Sequence, residues 1–139
     1  MTPLVVVYVV ERLLAEYTVG SSSARSILEN FVVHFHIVAN PDGWVYSYTR
    51  DRQWRKNVSP NYGSRCPGKD LNRQFDIDWC KVGASRDPCS EIYCGRSAMS
   101  EVEVQNIAKY VEDNNFLLVI DVHQFGQLML HSPGRIKRQ

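Results

Sequence analysis

The 139-residue sequence has almost no excess charge: 16 Lys and Arg stand against 15 Asp and Glu, a formal net charge of +1. That balance excludes the strong positive field by which a domain captures nucleic acid or an anionic membrane surface, so neither is expected as a partner. Long apolar runs are missing too, and the apolar start MTPLVVVYVV is too short to span a bilayer. It also lacks the basic leader and small-residue cleavage site of a signal peptide, passing directly into Glu11, Arg12 and Glu16. There is no internal repeat, linker or low-complexity stretch. Cysteine is absent outside Cys66, Cys80, Cys89 and Cys94, and no two of these have Cys-x-x-Cys spacing, which argues against a zinc ribbon or a thioredoxin-type redox site. What remains, 44% hydrophobic and 22% charged residues, is the composition of one folded globular domain.

Local signals predict its elements. Thr2 and Pro3 read as the cap and first turn of a helix, where the missing proline N–H costs nothing. The β-branched valines that follow lower helix propensity, so this helix is expected to be buried. Phe31 to Val38 (FVVHFHIV) predicts a strand running into a tight turn at Asn40-Pro41-Asp42-Gly43. From Trp44 to Gly95 no period is sustained, and so long an irregular stretch marks a functional surface. Ser100 and Glu103 form a capping box, after which Val104, Ile107, Ala108 and Val111 recur at helical spacing. Phe116 to Val122 (FLLVIDV) reads as a parallel strand covered on both faces. Helix, strand, long excursion, helix and strand in this order predict an α/β layered fold. The basic tail Arg135, Lys137, Arg138 reads as a solvated end.

Three features carry chemistry. His123 stands at the carboxyl end of the expected strand, where open α/β sheets bind ligands, and suits a metal ligand or a general base. The segments Arg52-Gln53-Trp54-Arg55-Lys56 and Asp70-Leu71-Asn72-Arg73-Gln74-Phe75 bring arginine forks beside an asparagine, a donor set suited to a carboxylate, with one arginine to spare for an oxyanion. The four cysteines read as structural disulfides in an oxidising compartment, with three pairings open. Asn57-Val58-Ser59 is a glycosylation sequon, but Pro60 follows it and a plain turn is the preferred reading.

Taken together, Asn40-Pro41-Asp42-Gly43, Asp51 to Lys56, Cys66 with Asp70-Leu71-Asn72-Arg73, Pro88-Cys89-Ser90-Glu91 with Tyr93 and Gly95, Ser100-Glu101, and Asp121-Val122-His123 with Gln127 resemble the zinc metallocarboxypeptidases of the A and B type. The resemblance implies a three-layer α/β/α fold with a mixed, largely parallel central sheet, truncated at both ends in residues 1–139. It implies a secreted, monomeric, zinc-dependent exopeptidase that acts on the C-termini of peptides and proteins. His123 would be the third zinc ligand, Arg55 the arginine that polarises the scissile carbonyl and stabilises the oxyanion, and Asn72 with Arg73 the clamp on the terminal carboxylate. Cys66 would pair with Cys89 and Cys80 with Cys94, each bridge contributing about 3 kcal/mol if unstrained.

The departures also bear on function. The His-x-x-Glu pair that completes the Zn2+ set in the family has no counterpart in residues 1–139, and neither has the general-base glutamate, so these residues alone are expected to be inactive. His34 and His36 alternate before the turn and do not replace the missing ligands. Gln74 stands where the family often has asparagine, and Gln124-Phe125-Gly126 replaces its usual residues after the histidine. Two rival readings are a non-catalytic relative that binds C-terminal carboxylates, and a disulfide-braced extracellular scaffold without a ligand.

Overall fold

The computed structural model describes residues 2–123 and 127–131. Gln124-Phe125-Gly126, Ser132-Pro133-Gly134 and the basic tail lie outside them. The described elements are four α-helices, α1 (Thr2–Thr18), α2 (Ser22–Asn30), α3 (Pro41–Thr49) and α4 (Val102–Asn114), with one 3-10 turn at Leu71–Arg73. The chain divides into two compact units, Met1–Val33 with Ile120–Gln139 and His34–Val119.

In the first unit the helix expected at Thr2-Pro3 forms, but its burial does not follow. Val6, Val10 and Leu13, at helical spacing, are half-buried, whereas Leu4 is 66% exposed and Val5, Val7, Tyr8 and Val9 face solvent. The valines are distributed all round the helix, and the neighbouring α2 shields only one stripe. α1 ends in a Schellman motif, Ser21 N–H to Glu16 O at 3.0 Å and Gly20 N–H to Tyr17 O at 3.1 Å, with Gly20 at φ 81°. That turn folds α2 back, burying Ala24. No helix among the described residues is long and apolar enough to cross a membrane.

Neither expected strand forms among the described residues, where the sole β-type pairing is an isolated bridge between Ser85 and Tyr93. The predicted sheet is therefore absent from the described residues. Residues 31–39 and 116–123 lack regular structure, and Leu117 is 87% exposed rather than sandwiched. A strand, unlike a helix, cannot satisfy its own N–H and C=O groups and exists only beside a partner.

Asn40-Pro41-Asp42-Gly43 is a helix start rather than a tight turn. Asn40 Oδ1 accepts from Gly43 N–H at 3.0 Å as the N-cap of α3, and Pro41 takes the first helical position. The same asparagine donates through Nδ2 to Lys56 O at 3.1 Å. A Cβ on Gly43 would lie 2.5 Å from Lys56 O, so glycine is what lets α3 approach this strip of backbone. α4 forms as its period predicts, with Val104 buried, but without the capping box: Glu101 is its N-cap residue and no side chain caps it. Ser100 Oγ instead donates to Glu101 Oε1 at 2.7 Å, and Glu103 Oε1 accepts from Asn57 Nδ2 at 3.2 Å. The serine is thus taken by its chain neighbour and by Gln74, whose Oε1 lies 2.9 Å from Ser100 Oγ, and the glutamate by a tertiary partner. His34, set aside above as a ligand, packs edge-on against Phe116 and meets Tyr110 Oη through Nδ1 at 2.5 Å.

Candidate active site

The irregular stretch of the second unit is tied down covalently by Cys66–Cys89 and Cys80–Cys94, the pairing the resemblance implies, and no cysteine is free. Hydrogen bonds from buried polar side chains do what a sheet would otherwise do. Gln74 is wholly buried: its amide nitrogen donates to Cys94 O, its Oε1 accepts from Ser100 N–H at 2.9 Å, and its carbonyl accepts from Met99 N–H at 2.7 Å. The glutamine at this position thus joins the 3-10 turn to the segment that leads into α4. Gly95, at φ 81°, is required beside it, since a Cβ there would lie 2.4 Å from Gln74 Nε2.

A second knot forms at Glu101. Its carboxylate accepts from Ser59 Oγ at 2.6 Å and Asn57 Nδ2 at 2.7 Å, and Lys69 Nζ lies at 3.2 Å. Burial pushes this carboxyl upward, but the hydrogen bonds from Ser59, Asn57 and Ser100 and the Lys69 ammonium outweigh it and hold it below the usual range. Asn57, of the sequon, is 2% exposed, and its Oδ1 accepts from Lys69 N–H at 2.8 Å.

On this frame Arg55, Asn72 and Arg73 come together around one side chain that sequence reasoning did not single out, Asp70. Asp70 Oδ2 accepts from Arg55 Nε at 3.0 Å and Nη2 at 2.9 Å, and Arg73 Nε approaches the same oxygen at 4.0 Å. Its Oδ1 accepts from Asn72 N–H at 3.1 Å, which caps the 3-10 turn. The Asp70 side chain is 4% exposed. Its signal in the sequence was an acid between two cationic segments, which alone does not tell a hub from a surface charge. Arg73 is steadied further by Gly83 O, to which Nε donates at 2.7 Å, and by Asn72 O, to which Nη1 donates at 2.9 Å. The Asn72 side chain is exposed. Beside the pair opens a cavity of about 480 Å³ whose walls include Phe75, Ile77, Trp79 and Val82.

Lys56, next to Arg55, is 2% exposed and donates to Pro88 O at 2.7 Å. The Trp54 ring centroid lies 5.8 Å from its ammonium and that of Tyr93 6.0 Å. Burial draws this ammonium below its usual range, and the carboxylates of Glu91, Asp87 and Asp70 offset that only in part. Lys56 therefore ties the backbone next to Arg55 to the residue preceding Cys89.

His123 belongs to the other unit. It is exposed, on no strand, and its Nε2 lies 2.8 Å from Asp121 Oδ2. Among the described residues no group of three or more His, Cys, Asp or Glu could hold a metal ion.

A cystine-braced loop region here gathers two arginines and an asparagine around a buried aspartate, and the chain belongs to the zinc carboxypeptidase family, whose model matches residues 1–139. It is 37% identical over 138 residues to metallocarboxypeptidase A of Arthroderma otae, covering 96% of this chain and 32% of that protein. It is 44% identical over 96 residues to carboxypeptidase B of Canis lupus familiaris, covering 68% and 23%. The crystal structure of thrombin activatable fibrinolysis inhibitor superimposes with a TM-score of 0.75 at 36% identity, over 81% of this chain and 28% of that one. The chain thus spans a third or less of the length of these relatives.

Proposed function

We propose that this chain carries part of the active site of a secreted, zinc-dependent metallocarboxypeptidase that removes single amino acids from the C-termini of peptides and proteins. Asn72 and Arg73 hold the terminal carboxylate, Arg55 stabilises the oxyanion formed at the last peptide carbonyl, and His123 supplies one zinc ligand. The observation that carries this reading is the convergence of Arg55, Asn72 and Arg73 on Asp70. A free carboxylate is what distinguishes the last residue of a peptide from all others, and a paired guanidinium and amide recognise it by charge and direction.

Zinc in such enzymes polarises the carbonyl and activates water, and it takes three protein ligands. The described residues do not bring such a set together. We read residues 1–139 by themselves as binding without hydrolysing, because the family's His-x-x-Glu pair and general-base glutamate have no counterpart in that sequence. We read residues 31–38 and 116–122 as strands that pair once the family's full sheet is present. The two disulfides fit an oxidising, extracellular setting.

A second reading, a non-catalytic relative that recognises peptide C-termini, is favoured by the clamp being assembled within Arg55 to Arg73 alone. Calorimetric titration of the chain with peptides bearing free or amidated C-termini tests what both readings share. The free form should bind, while amidation or Arg73→Ala should weaken binding at least tenfold, as expected for a charge-assisted pair. Equal affinity for both peptides would rule out the clamp, and binding of neither would leave a scaffold without a ligand. Release of a free amino acid by a zinc-supplied protein of the relatives' full length separates enzyme from binder.

A further inference from the structure

Asp70 Oδ2 faces two guanidiniums, accepting hydrogen bonds from Arg55 at 2.9 and 3.0 Å and lying 4.0 Å from Arg73 Nε, which bears on it by charge alone because its N–H is donated to Gly83 O. These are the two arginines to which the proposed function gives different tasks, one on the reacting carbonyl and one on the terminal carboxylate. We infer that Asp70 is a shared counter-ion that couples them, so that filling the carboxylate clamp fixes Arg55. This inference rests on the carboxypeptidase reading of the clamp.

The argument is electrostatic. With the clamp empty, both guanidiniums draw on the charge of one buried carboxylate oxygen, Arg55 through two hydrogen bonds and Arg73 through charge alone at 4.0 Å. Their side chains are 38% and 30% exposed, while that of Asp70 is 4% exposed, so the carboxylate is the desolvated and fixed member of the trio. A peptide carboxylate arriving at Arg73 neutralises that guanidinium and removes its claim on Asp70. The oxygen is then left to Arg55 alone, and the pair tightens. Because Arg55 meets Asp70 through Nε and Nη2, the tightened guanidinium keeps its Nη1 edge for another acceptor. The backbone of the clamp is in place beforehand, since Asp70 Oδ1 already holds Asn72 N–H and Asp70 N–H donates to Tyr93 O at 2.9 Å. A peptide with a free C-terminus thereby orders the oxyanion arginine, and one without it does not. Asp70 is a positioning residue in this scheme and touches no substrate.

The test uses the chain itself and needs no turnover. Acetyl-glycyl-leucine and its amide are titrated at low ionic strength while the side-chain Nε–H resonance of Arg55, assigned by its loss in Arg55→Lys, is followed by NMR. The expected result is that the free acid binds and shifts this resonance in proportion to occupancy, while the amide does neither. Asp70→Asn, which keeps a capping oxygen but removes the competing charge, should bind the acid about fivefold tighter and leave Arg55 unresponsive. A purely structural role for Asp70 predicts weaker binding instead. If the acid binds to the wild-type chain and Arg55 stays still, the coupling is wrong and the clamp stands. Failure to discriminate acid from amide removes the clamp and the coupling with it. The wild-type titration decides alone should Asp70→Asn not fold.

Discussion

The two units of this chain solve the problem of staying folded in opposite ways. The unit Met1–Val33 with Ile120–Gln139 holds the longest helix, yet most of that helix's apolar side chains face solvent. The unit His34–Val119 is mostly irregular, yet it buries Lys56, Asn57, Asp70, Gln74 and Glu101 with partners. None of its buried side-chain nitrogen or oxygen atoms, among the described residues, lacks a hydrogen bond. Regular secondary structure is thus a poor guide to where this sequence is fixed. Local hydrogen bonds make a helix, but cross-links and satisfied buried polar groups hold a functional loop in one shape.

All three tryptophans, Trp44, Trp54 and Trp79, fall in the second unit, so their fluorescence reports on it alone. The sharpest contrast should come from Cys66→Ser with Cys89→Ser. Opening this bridge, whose cysteines are 23 residues apart, should lower the urea stability read by tryptophan by about 3 kcal/mol. Next is the carboxylate of Glu101. Its folded pKa lies below its unfolded one, so its stabilisation is present above the unfolded value and lost as pH falls through the folded value. Urea midpoints should therefore fall as the pH is lowered through and below the ordinary carboxylate range, and Glu101→Gln should flatten that part of the profile. The smallest effect belongs to α1: Tyr8→Ser, at a 62% exposed site, should move the unfolding curve read by circular dichroism by less than about 0.5 kcal/mol. A large loss there would overturn the contrast by showing that the exposed helix face has a partner.

Signals that act within one turn of chain were readable from sequence. The Thr2-Pro3 start of α1 and the apolar period of α4 both depend on neighbours three or four residues away. The Asn40-Pro41 start of α3 was misread because the same tetrapeptide serves turns and caps. What helps select between them is an asparagine amide reaching Lys56 O, sixteen residues on. The α2 helix went unnoticed, having a short apolar pattern and a fold-back set by Gly20. Expected strands at 31–38 and 116–122 carried the right composition, but composition does not supply the adjacent backbone a strand requires. Within the candidate site, Arg55, Asn72 and Arg73 were legible through resemblance and do lie together. Asp70 was not, because a hub is defined by what converges on it. His123, in the other unit, keeps its role only as a proposal.

The burial of Asn57 sets an order of events for any cell that makes this chain. The sequon amide that a sugar-transferring enzyme would need is already spent on Glu101 and Glu103, beneath the Lys69 backbone. Carbohydrate could be attached only to a chain still being threaded and not yet closed, and once attached it would bar that closure. The finished molecule carries a legible address for a modification that its own folding forbids.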